Sequence, residues 1–99
     1  MALNYEAARR IAEQHIRERI LNSTRLSRYE FGEVELQSEN ERFWTFLSGS
    51  AQLVEEGYVP GAVYACVDKQ DGRVWSMPEV EQFYLQKAAA RQPSAVAAA

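Results

Sequence analysis

Gly61-Ala62-Val63-Tyr64-Ala65-Cys66-Val67-Asp68-Lys69-Gln70-Asp71-Gly72-Arg73-Val74-Trp75 is the stretch that decides the fold. Residues 61–67 are small, β-branched or aromatic at both parities, the pattern of a strand covered on both faces. Asp68 to Gly72 reads as a tight turn in which Gly72 supplies a positive φ. Arg73-Val74-Trp75 then returns antiparallel as the last strand. A central strand opening a hairpin predicts an antiparallel sheet, so the neighbouring segments must supply its other strands and its cover.

Toward the C-terminus, Ser76-Met77-Pro78-Glu79 is a helix start. Ser and Glu three apart form a capping box, and a proline in the first turn costs no needed N–H. Val80, Phe83, Tyr84, the stem of Lys87 and Ala88 give that helix a short apolar stripe. Pro93 and a run of small residues predict a disordered tail over 92–99, leaving 1–91 as a single domain.

Toward the N-terminus, residues 48–60 are punctuated by Gly49, Gly57 and Pro60, with Ala51-Gln52-Leu53-Val54 as a turn of helix or an extended piece. Residues 42–47 read as a strand with apolar side chains on both parities, entered by a turn at Ser38-Glu39-Asn40-Glu41. Before it, Tyr29 and Phe31 have one parity, Val34 and Leu36 the other. A bulge at Gly32 would return both pairs to one face and place Glu33 and Glu35 together on the solvent face. Residues 5–21 carry Tyr5, Ala8, Ile11, Ala12, Ile16 and Ile20 on one arc of a helix, with Asn4 as N-cap and Asn22-Ser23-Thr24 as its end. The fold class expected is α+β: an N-terminal helix on an antiparallel sheet of about four strands, closed by a short C-terminal helix.

Composition bounds what such a domain does. Ninety-nine residues with 46% hydrophobic and 25% charged side chains suit one globular domain. No apolar run approaches a membrane span, and Arg9, Arg10 and Glu13 break any leader-like stretch, so a cytoplasmic protein with no membrane partner is expected. Net charge is −3. Residues 25–56 hold seven acids against three bases, which disfavours nucleic acid and favours a basic protein partner.

Chemistry-bearing motifs are sparse. Cys66 is the sole cysteine and His15 the sole histidine. Cys66 reads as a small buried hydrophobe and His15 as a residue at the core margin; the two form a dyad only if the fold joins them. No phosphate loop, metal-ligand spacing or nucleophile motif is present, so no cofactor, metal or catalytic residue is expected. The turn at 68–72 lacks the third carboxylate and distal glutamate of a calcium loop. Glu33, Glu35, Glu39 and Glu41 read either as a solvated face or as an acidic strip steering a partner. Trp44 and Tyr58 read either as core or as anchors of an interface.

The hairpin Ala65-Cys66-Val67-Asp68-Lys69-Gln70-Asp71-Gly72-Arg73-Val74 resembles the C-terminal hairpin of the immunity protein 35 (YrhB-like) family. The helix from residue 5, the strand with Phe43-Trp44 and the Gly57-Tyr58 pair follow the same order, over about residues 5–80. The resemblance implies a small bacterial protein that neutralises a co-encoded toxin by binding and occluding it, and it carries no catalytic signature. Two other readings stand beside it. One is a module of cystatin-like or NTF2-like kind that binds a small molecule or peptide, which a cavity lined by His15, Tyr64 and Trp75 would favour. The other is a homodimeric structural protein pairing through a sheet edge or an apolar sheet face.

Overall fold

A computed structural model describes residues 3–91, and the tail expected at 92–99 lies outside them. The order is α1 (Tyr5–Leu21), a 3₁₀ turn (Leu26–Arg28), β1 (Glu35–Glu39), β2 (Phe43–Gly49), α2 (Ala51–Glu55), β3 (Ala62–Asp68), β4 (Val74–Trp75) and α3 (Met77–Arg91). The strands form one four-stranded sheet in chain order, each antiparallel to its neighbour. The α+β architecture follows the sequence reading.

α1 lies on one face of the sheet. The Asn4 side chain accepts from the Ala7 N–H at 2.8 Å and starts the helix. Ala8, Ala12 and Ile16, four apart, are buried against Trp44, Phe46, Val63, Ala65 and Val67. The two alanines let the helix axis approach the sheet, and Ile16 packs into the same core. The Leu3 N–H donates to the Lys69 carbonyl at 2.8 Å, tying the start of the chain to the β3–β4 turn. Gly72 has φ +75° there, and a Cβ on it would stand 3.1 Å from Ile11 Cδ1. Glycine is thus required for the turn conformation and for close passage under α1.

The opposite face is covered in part. Phe43, Cys66 and Val80 form a second cluster with Trp75 and Phe83. α3 reaches it through the capping box read from the sequence: Ser76 N–H donates to Glu79 Oε1 at 3.0 Å and Glu79 N–H to Ser76 Oγ at 3.3 Å. The Phe43, Trp75 and Phe83 rings meet edge to face, with centroids 5.0 to 5.8 Å apart. Leu47 and Tyr64, on this face beyond α3, are half-buried.

One local expectation is corrected. Tyr29 and Phe31 form no strand, and the bulge is not at Gly32. Pairing instead runs Leu36 with Phe46 and then Ser38 with Thr45, so the extra residue is Gln37. Gly32 is held otherwise: its N–H donates to the Gly49 carbonyl at 2.9 Å and its carbonyl accepts from Ser48 Oγ at 2.7 Å. Tyr29, Phe31 and Val34 still reach the α1-side core. Leu36 does not; it is exposed on the edge strand.

Candidate binding cleft at the free edge of the sheet

β3 is seven residues long and its outer neighbour β4 is two. Backbone pairing alternates along an antiparallel strand, so successive residues address opposite neighbours. The Lys69 N–H donates to Arg42 and the Ser50 N–H to Gly61, placing the odd-numbered positions of β3 on the β2 side. The Asp68 N–H donates to the Arg73 carbonyl at 2.9 Å, and Cys66 pairs with Trp75, placing the even positions on the β4 side. Ala62 and Tyr64 therefore also turn their N–H and C=O outward. β4 does not reach them, because Ser76 caps a helix where the strand would have continued. Among the described residues, these two donors and two acceptors have no partner along this segment of sheet edge.

That edge opens into a cleft of about 790 Å³, within the size of sites that take peptides and small ligands. Its α1 wall carries His15, Arg19 and Asn22, spaced to share one face of the helix. Arg25 and Tyr58 close one end, with the Arg25 guanidinium 5.2 Å from the Tyr58 ring centre. Trp75 and Met77 close the other, at the start of α3. His15, Tyr64 and Trp75 thus line a single cleft.

The Trp75 indole N–H is buried and, among the described residues, meets no acceptor at hydrogen-bond geometry, yet it lies near enough to Asp68 to favour the charged carboxylate. Burial works to raise the Asp68 pKa, but the Arg42 hydrogen bonds and the Gln70 N–H outweigh it, so the group titrates below the ordinary range. Cys66 also borders the cleft, but its sulfur lies 3.4 Å from Thr45 Oγ1, and burial pushes its pKa up. A reactive thiol needs the opposite shift.

The residues singled out in the sequence are dispersed. Glu35 faces the α3 side opposite Leu47, whereas Glu39 faces the α1 side opposite Trp44. Glu39 is bound to Lys69 Nζ at 2.5 Å, and that hydrogen bond lowers its pKa. Glu33, before the strand, acts through space on Arg9 of α1, and Glu41 sits exposed in the β1–β2 turn. Trp44 is only 8% exposed, under the Lys69 ammonium and against Tyr5. Tyr58, 41% exposed, is the one of the six on the cleft rim.

The composition drew attention to glutamates, whereas the cleft is built from Arg19, Arg25 and the β3 edge. The signal available for that edge was the helix cap at Ser76, which allows the last strand two residues. Among the described residues no group of three or more His, Cys, Asp or Glu side chains is placed to hold a metal ion, and no helix is long and apolar enough to cross a membrane. The chain matches no family model, no curated protein and no solved structure.

Proposed function

We propose that this domain is a cytoplasmic binding module that takes an extended segment of a partner protein as an added strand on the free edge of β3. The observation that carries the reading is the outward backbone of Ala62 and Tyr64, opening into a cleft walled by α1 and the start of α3. Strand addition is a general mode of peptide recognition, with affinity from main-chain bonds and specificity from alternate side chains. Each hydrogen bond adds about 0.5–1.5 kcal/mol net, so four give roughly 2–6 kcal/mol. Micromolar binding needs about 8 kcal/mol. Side chains seated in the cleft make up the difference, which favours this position over a bare sheet edge. The chain works in this reading by holding its partner and not by turning it over. The resemblance to immunity protein 35 proteins makes a bacterial toxin the first partner to try, with occlusion as the outcome of binding.

The test is selection of twelve-residue peptides from a random displayed library, followed by binding to Ala62→Pro. Proline at 62 deletes one outward N–H and leaves the β2 ladder intact, because the N–H it removes faces away from β2. Selected peptides are expected to bind the parent chain and to lose about two- to tenfold in affinity for the variant, with unchanged circular dichroism. Peptides indifferent to the proline would overturn the reading. So would a dimer mass in size exclusion that Ala62→Pro converts to monomer, since a second copy would then own the edge.

A further inference from the structure

The charges of the cleft are unequal in their freedom. Glu79 caps Ser76 and pairs with Arg73, whereas Glu18 accepts from the neutral amide of Gln14 at 3.2 Å, which offers no counter-charge. Of the cleft's arginines, Arg25 lies over the Tyr58 ring, 5.2 Å from its centre. Among the described residues no carboxylate lies within ion-pair distance of Arg19 or Arg25. Both stand on the α1 side, with His15 on the same wall. The α3 side carries Tyr64, Trp75 and Met77, with Glu79 held by Ser76 and Arg73. In a chain of net charge −3, Arg19 and Arg25 against Glu18 leave the wall flanking the free edge with a cationic excess.

A strand added to β3 presents alternate side chains to these two sides. Residues opposite Val63 face α1 and the arginines; those opposite Ala62 and Tyr64 face Trp75 and Met77. We infer that the cleft recognises an acidic, alternating segment, in which carboxylates toward Arg19 and Arg25 alternate with apolar side chains toward Tyr64 and Trp75. The inference rests on the strand-addition reading and reverses the partner charge expected from composition. The net negative charge belongs to other faces, whereas specificity is set by the charges left unpaired at the contact.

The experiment uses the full chain with two amidated seven-residue peptides, one alternating Glu with Leu and Val, the other identical but with Lys for each Glu. Isothermal titration at low salt is expected to show the Glu peptide binding about three- to tenfold more tightly, the effect of two exposed ion pairs. Arg19→Glu combined with Arg25→Glu is expected to reverse the order, and Ala62→Pro to weaken both peptides. Equal binding of the two peptides, weakened alike by the proline, sinks the acidic preference and leaves strand addition standing. Binding insensitive to the proline sinks both. Binding of neither peptide by a folded chain removes the acidic segment, and the library selection then decides strand addition by itself.

Discussion

Arg42 and Asp68 form a forked ion pair at the base of the β3–β4 hairpin, with Arg42 Nε 3.0 Å from both carboxylate oxygens and Nη2 2.9 Å from Oδ2. Asp68 is fully buried and also accepts from the Gln70 N–H at 2.8 Å, which shapes the turn. The guanidinium lies over Trp75 and Phe83, 5.6 and 5.3 Å from their ring centres. One arginine thus ties β2, the hairpin turn and α3 together, and fixes the Trp75 end of the cleft.

Removing that arginine leaves a buried carboxylate without its counter-charge. Arg42→Ala is expected to cost about 2–4 kcal/mol in urea unfolding, below the full value for a buried pair because Arg42 is partly solvated. The same variant should raise the Asp68 pKa when followed by carboxyl NMR. A loss under 1 kcal/mol would show that the aromatic cluster holds α3 without the pair.

The same pair sets a direction with pH. The folded-state pKa of Asp68 lies below its ordinary value of 3.8, so its contribution is complete above that value and is lost as pH falls through the folded pKa. Stability should therefore drop on acidification below about pH 4, and Asp68→Asn should flatten this part of the profile. An unchanged slope in the variant would move acid sensitivity to other carboxylates.

Two glycines test how the cleft is framed. Gly72→Ala meets both a positive φ and Ile11 at 3.1 Å, and should cost about 1–3 kcal/mol. At Gly61, before β3, a Cβ would stand 2.4 Å from Val54 Cγ2 and 3.2 Å from the Val54 nitrogen. Gly61→Ala must shift α2 from the strand and should lower the melting temperature. A neutral result at both positions in thermal unfolding would contradict this close packing.

Burial of Cys66 predicts slow chemistry. Native-state alkylation with iodoacetamide should be far slower than in urea, at every pH where the fold holds, because the thiol is covered and its pKa raised. Rapid labelling of the native chain would indicate an open cluster between the sheet and α3.

Charge reversal separates the cleft from the acidic residues in and just before β1. Glu33→Lys with Glu35→Lys should leave peptide affinity at the β3 edge within about twofold, since surface changes away from a contact seldom exceed ~0.5 kcal/mol. A large loss, measured by the same titration, would shift the interface to β1.

The amino-acid order by itself determined the elements whose causes are local. Asn4 and Ser76 cap helices through their own neighbours, Gly72 takes a positive φ within its own turn, and the apolar runs at 43–47 and 62–67 fix two strands. Tertiary structure alone decided the position of the bulge, because the choice between Gly32 and Gln37 depends on which residues Ser48 and Gly49 hold. It also decided the site. Trp44 was sequestered by α1 and Lys69, the glutamates were spread over different faces, and Arg19 of α1 and Tyr64 of β3 were brought to one cleft. Side-chain type is written residue by residue, whereas an unpaired edge exists only by reference to a neighbouring strand that stops short.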